Sequence, residues 1–325
     1  LALLLCQLSA VVSQNYQLVQ TYTAENFFDE FTLYSGADPT GGYVRYLTYD
    51  EANNMSLISN DSNIVRLAAD AETQYPPEEG SGRPSVRAES KGKFTEGLFV
   101  LDLLHIPTGC GAWPAFWTGG LGDWPADGEI DIIEGVNNAA SNRAALHTAG
   151  ECTVSSTVLQ TGKSISTDCN VDHDGNQGCA VEFDSPYGLD YGIQFNSYGG
   201  GMYAMEWTNS TINIWFFRPG TYPASLRTDV QTFAPVTPDP TTFGVPSASF
   251  SGPCSSSFGD KFFNHTIIFD ITFCGGWAGP QYFNSDCSAI RGDTDPTQAC
   301  IDMAAYMMYE YQETYWAFRS LRVWQ

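Results

Sequence analysis

The sequence predicts an all-β sandwich, and three observations carry that reading. The apolar residues fall in short runs bounded by Gly, Pro, Asn or Asp; the clearest run alternates with a period of two; and the helices that a repeating β-α fold needs are missing. In chain order the runs are residues 44–49, 64–67, 98–104, 130–133, 211–217, 265–273 and 318–324. In 211–217 the alternation puts Ile212, Ile214 and Phe216 on a core face, with Thr211, Asn213 and Trp215 on a partly wet one. Only 300–313, rich in Ala, Met and Tyr, reads as a helix of any length. Between these elements lie long loops at 74–83, 150–178 and 218–259, which need pinning in a compact domain.

The chain has 325 residues, 43% of them apolar, ample for a large core, and it shows no repeat or composition break. Lys+Arg 14 against Asp+Glu 37 leaves a formal net charge of −23, so nucleic acid is not an expected partner. Residues 1–13, LALLLCQLSAVVS, are too few to span a bilayer and end with Val11 and Ser13 at signal-peptidase spacing. They read as the remnant of a signal peptide, with 14–325 as a single domain. No later run holds about 18 apolar residues, so a secreted, unanchored monomer without a membrane partner is expected. Removing Cys6 leaves eight cysteines, an even number that permits complete pairing in several connectivities. Sequons at Asn54, Asn60, Asn209 and Asn264 are candidate glycan sites.

The motifs of nucleotide binding, hydride transfer, zinc proteolysis and the Ser-hydrolase elbow are all missing. Asn170-x-Asp172-x-Asp174-Gly175 begins like a calcium loop, but Val181 stands where the bidentate Glu belongs, so a polar turn between Cys169 and Cys179 is the better reading. The stretch Gly128-Glu129-Ile130-Asp131-Ile132-Ile133-Glu134-Gly135 differs, because it sets three carboxylates among isoleucines in a strand-forming segment. Glu129 and Asp131 share a face; Glu134, five steps from Glu129, faces the other way unless a one-residue bulge intervenes. With that bulge, three acids line one face and the isoleucines the other. Trp113, Trp117 and Trp124 lie just upstream and Trp277 far downstream, in Gly-rich segments read as loops. Flat apolar rings of this kind suit a sugar face, each stack contributing roughly 2 kcal/mol. Trp215 and Trp324 read as core.

Glu129-x-Asp131-x-x-Glu134, with the preceding Trp-Pro-Ala-Phe-Trp run and the following Leu146-His147-Thr148, resembles glycoside hydrolase family 16, specifically its laminarinase-like endo-β-glucanases. The resemblance runs from about Tyr22 to Trp324. It implies a concanavalin-like β-jelly-roll with a glucan-binding cleft on its concave face, no cofactor and no metal. It further implies a retaining hydrolase of β-1,3 and mixed-linkage β-1,3(4)-glucans, with Glu129 as nucleophile, Glu134 as general acid/base and Asp131 orienting Glu129. The anion of Glu129 is then expected to raise the pKa of Glu134. Trp113, Trp117, Trp124, His147 and Arg87 would line the sugar subsites, with Asn137 and Trp277 at the edges, although His147 could equally be structural and Arg87 could serve an internal acid. Met202 stands where relatives often carry Trp, which leaves one sugar contact open. A transglycosylase or a non-catalytic lectin could use the same scaffold.

Overall fold

The computed structural model describes residues 16–80, 82–227, 237–254 and 258–325, so the signal segment 1–13 lies outside the described residues. Two eight-stranded antiparallel sheets face each other, the jelly-roll sandwich that the strand pattern and the resemblance implied. The acid-bearing sheet runs Lys163–Ser166, Cys179–Glu182, Arg143–His147, Glu129–Glu134, Ala112–Gly119, His265–Phe273, Arg87–Phe94, Phe31–Leu33. The opposing sheet runs Ala248–Phe250, Ile212–Phe217, Gly201–Trp207, Gly97–His105, Tyr315–Trp324, Val65–Ala68, Ile58–Ser59, with Leu18–Thr23 also on Tyr315–Trp324.

Alternation builds the core between them. In His265–Phe273 the residues Ile267, Phe269, Ile271 and Phe273 join the main apolar cluster, where they meet Phe99, Leu101, Leu103, Phe318 and Leu321 of the opposing sheet. Phe269 stacks on Phe318 at 4.9 Å and on Phe116 at 4.5 Å, so aromatic layers join the two sheets. The outer face of the opposing sheet carries a second cluster, in which Trp215, Phe217, Met202, Leu98 and Trp324 lie under Phe243 and Leu226. The face of Trp215 is therefore drier than its alternation with Thr211 and Asn213 suggested: residues of the 218–259 segment cover it, and its indole donates to the Gly244 carbonyl at 3.0 Å. Met202 sits in this outer layer, on the sheet away from the acids, rather than beside them.

Two expected elements shift, each toward a cap. The helix expected over 300–313 spans Pro296–Tyr306. Asp295 accepts from the Gln298 N–H at 2.8 Å and Pro296 opens the first turn, a start signal stronger than the Ala/Met/Tyr content that suggested a later one. The strand expected over 44–49 ends at Tyr46 because Thr48 and Glu51 form a capping box that starts the helix Tyr49–Asn54. All eight cysteines counted after Cys6 are paired, as Cys110–Cys287, Cys152–Cys254, Cys169–Cys179 and Cys274–Cys300. The second and third pin the 150–178 segment, and the third closes the polar turn that mimicked a calcium loop. All four sequon asparagines are exposed.

Replacing both Cys169 and Cys179 by Ser frees a closed loop of about ten residues, so the unfolding free energy should fall by about 2–3 kcal/mol. Guanidinium unfolding of the double variant beside the parent measures this; an unchanged midpoint would show that the loop is held by its hydrogen bonds alone.

Candidate active site

The site grows from one irregularity in one strand. Glu129 pairs with Gly119 and Asp131 with Trp117, after which the register shifts so that Ile133 meets Phe116 and Glu134 meets Ala115. Ile132 is thus an extra residue, the bulge that the spacing of the acids required. Ile130, Ile132 and Ile133 are buried in the core, while Glu129, Asp131 and Glu134 share the outer face with Gly119, Trp117 and Ala115. Both flanking glycines are obligatory. A Cβ on Gly128, which has φ +80°, would lie 2.3 Å from the Lys261 carbonyl, and one on Gly135 would meet the Tyr191 ring at 2.7 Å.

Neighbouring strands complete the floor in rows. Trp113, Ala115, Trp117 and Gly119 face outward on the next strand, opposite Thr272, Asp270, Ile268 and Thr266 on the strand beyond, with Arg87 and Glu89 further out. Small residues beside the acids leave the space that a polymer needs. The Trp113 indole donates to Glu134 Oε1 at 2.7 Å and the exposed Trp124 indole to Glu129 Oε2 at 2.9 Å, so each glutamate is held by its own tryptophan. Trp277 stands edge-on to Trp113 at 5.6 Å, and the Arg143 guanidinium lies 5.3 Å over Trp277. His147 places Nε2 3.3 Å from Asp131 Oδ2 and Nδ1 2.9 Å from Asn176 Oδ1. Both ring nitrogens face oxygens, an arrangement that suits the imidazolium. Asn176 itself lies in the loop closed by Cys169–Cys179.

The electrostatics separate the two glutamates. Burial, then the charge of Asp131, pushes Glu129 up to about 7, against the opposing pull of His147, the Trp124 N–H and Arg87. Burial also drives Glu134 well above the usual carboxylate range, with Asp131 next and the Trp113 hydrogen bond opposing. The anion of Glu129 contributes to that rise, as expected from the sequence, and is the smallest of these influences. For His147, burial disfavours the charged form, but the hydrogen bond to Asp131 and the charges of Asp131, Glu129 and Glu134 outweigh it and raise the group to about 10.

Apart from Met202, the residues expected in the catalytic row and the sugar subsites lie at or beside this floor, with corrections. Trp113 and Trp117 stand on the strand Ala112–Gly119 rather than in loops; Pro114 and the flanking glycines had concealed the alternation. Trp277 sits in the short helix Gly275–Ala278. Arg87 does serve an acid, donating to Glu89 at 2.8 Å, and it also stacks 5.1 Å over Trp117. Asn137 is buried with its amide spent on the backbone, accepting from Gly111 and donating to Ala278, so it braces the floor rather than presenting a free group. Sequence reasoning missed Asp270, a buried carboxyl between Arg87 and Trp117 that burial pushes up to about 7. It also missed Asn142 and Arg143, which no motif marks. Among the described residues, Glu129, Asp131 and His147 bring donor atoms within 4.8 Å of one another and could hold a metal ion; in the similar trio Cys110, Asp286 and Cys287, both sulfurs are in a disulfide. A cavity of about 490 Å³, lined by Phe183, Tyr187, Phe216 and Arg218 among others, does not include the acids, of which Glu129 and Glu134 are half-buried and Asp131 is buried.

Comparison with known proteins agrees with this geometry. Residues 31–324 match the family described as XgeA-like, catalytic GH16 domain. A probable endo-1,3(4)-β-glucanase of Aspergillus fumigatus is 41% identical over 98% of this chain, and a probable glycosidase of Schizosaccharomyces pombe is 39% identical over 96%. The chain spans 47% of the first of these and 70% of the second. Among solved structures, laminarinase 16A from Phanerochaete chrysosporium, with β-glucans in its donor and acceptor sites, superposes with a TM-score of 0.86 at 35% identity, covering 95% of this chain and 99% of that one. An elongating family 16 β-1,3-glucosyltransferase superposes with a TM-score of 0.86 at 39% identity, covering 95% of this chain and 100% of that one. With a matching family model over most of its length, a jelly-roll of the same shape and the bulged row of three acids, the chain belongs to glycoside hydrolase family 16.

Proposed function

We propose that this domain is a secreted endo-β-glucanase that hydrolyses β-1,3 and mixed-linkage β-1,3(4)-glucans with retention of configuration. The observation that carries the reading is the bulge at Ile132, which sets Glu129 and Glu134 on one face among Trp113, Trp117 and Trp124. His147 and one indole N–H pull on each glutamate, yet burial leaves Glu134 well above the usual carboxylate range and Glu129 at about 7, so Glu129 is the nucleophile and Glu134 the acid. In the first step the Glu129 carboxylate forms a bond to the anomeric carbon while the glycosidic bond breaks and Glu134 gives its proton to the leaving oxygen. In the second, Glu134, now a carboxylate, takes a proton from water, whose oxygen displaces Glu129. Asp131, held by His147, orients and tunes the pair. Trp113, Trp117, Trp124 and Trp277 offer ring faces and edges to glucose units, and Arg87 and Asp270 offer polar groups one row away. An acidic floor tolerates a neutral glucan and disfavours sulfated or uronic polymers. Export into an oxidising compartment accords with four disulfides and exposed sequons.

A second reading has a specific observation behind it. The structural neighbour described as an elongating glucosyltransferase implies that this scaffold can pass the sugar to another glucan instead of water.

Product analysis of laminarin digests in ¹⁸O-labelled water separates the two readings. Short labelled oligosaccharides from the parent, none from Glu129→Gln, and a fall of about 10²–10⁴-fold for Glu134→Gln are expected; unlabelled, lengthened products would make transfer the main activity. The pH profile offers an independent check. His147 lowers the pKa of Glu129, so His147→Gln should raise it and move the acidic limb of kcat/KM to higher pH. A limb that stays in place or moves down would show that His147 does not act on the nucleophile.

A further inference from the structure

Beyond the bulge, the strand Glu129–Glu134 loses its neighbour. Its ladder with Arg143–His147 covers only Glu129, Ile130 and Asp131, so the backbone groups of residues 132–134 on that side have no strand partner. A side chain takes the place of the missing strand. The Asn142 amide, fully buried, accepts from the Glu134 N–H at 3.0 Å through Oδ1 and donates to the Ile132 carbonyl at 2.9 Å through Nδ2. One amide thus satisfies both sides of the bulge as a peptide group would, in the orientation that the extra residue demands.

Asn142 is fixed in turn by its own backbone. Its N–H donates to Asp190 Oδ2 at 2.7 Å, and its carbonyl accepts from Phe183 at 2.9 Å. Asp190 is buried, and its other oxygen accepts from the Ser185 hydroxyl. The same segment lays the Tyr191 ring against Gly135, the residue after Glu134. A chain of contacts therefore runs from Ser185 through Asp190 and Asn142 to the backbone of Glu134, and none of these groups faces the open floor as the three acids do.

We infer that Asn142 is a positioning residue for Glu134: its side-chain amide locks the bulge and thereby aims the acid/base at the leaving oxygen, with Asp190 holding Asn142 in place. The inference rests on the retaining mechanism proposed above. A group that acts only by aiming the acid matters where the leaving group needs a proton. It matters little where the leaving group departs unaided, and loss of aim of about 1 Å can cost on the order of 10²-fold.

The test compares kcat/KM, which reports the steps through glycosylation, on laminarin and on a 2,4-dinitrophenyl β-laminaribioside whose leaving group needs no proton. For Asn142→Ala a loss of about 10–100-fold on laminarin, with a change within about 3-fold on the activated substrate, is expected. Asp190→Asn, which keeps the volume and weakens only the support, should show the same imbalance to a smaller degree, and it carries the test if the alanine variant does not fold. Parallel losses on both substrates would make Asn142 a merely structural residue, and no loss on laminarin would remove it from catalysis; either result overturns the inference. Glu134→Ala is the control for the underlying reading. If it too hits both substrates equally, the acid/base assignment fails; if it discriminates and the Asn142 and Asp190 variants do not, only the positioning role fails.

Discussion

A strand turns successive side chains to opposite faces, so residues five apart cannot meet on one face of a regular strand. Glu129 and Glu134 do so because Ile132 is one residue more than the partner strand can match. That mismatch keeps three isoleucines in the core and three carboxylates on the floor, and neither set could be moved by one position without exchanging dry for wet. Gly128 and Gly135 admit neighbouring groups that any side chain would displace, and Asn142 supplies the hydrogen bonds that the departing strand does not.

The same crowding sets the chemistry. Burial, more than the charge of neighbouring acids, drives the rise of Glu129 and Glu134. Asp131 has His147 beside it, Glu129 the Trp124 N–H and Glu134 the Trp113 N–H, and the positive charge of His147 pulls on both glutamates. Glu134, the group proposed above as the acid, is the one held further above the usual carboxylate range. Asn176 extends this arrangement into the disulfide-closed loop, since it holds the far nitrogen of His147.

Much of this was legible in the amino-acid order. The run 265–273 matches the strand residue for residue, and the E-x-D-x-x-E spacing calls for the bulge that the register shift shows. What escaped had physical reasons. Pro114 and the glycines around Trp113 and Trp117 carried turn signals that tertiary pairing overrode. The caps at Thr48 and Asp295 moved two boundaries that apolar content alone had blurred. Asp270 and Asn142 carry no motif, because their roles come from neighbours far away in sequence: Arg87 across a strand pair for one, Asp190 for the other. Met202 belongs to the outer layer of the opposite sheet, a placement that the order of residues does not express.

In the proposed mechanism the bulge brings Glu129 and Glu134 close enough for double displacement, the arrangement with carboxyl groups about 5–5.5 Å apart rather than the wider gap that admits a water between them. The most direct measurement is the ¹H NMR signal of the anomeric proton in the first product released from a laminarioligosaccharide, recorded before mutarotation. Double displacement at Glu129 releases the β-anomer first, with the α-anomer growing in later. Initial release of the α-anomer would mean single displacement, and would contradict the role of Glu129 as nucleophile and the reading of the bulge built on it.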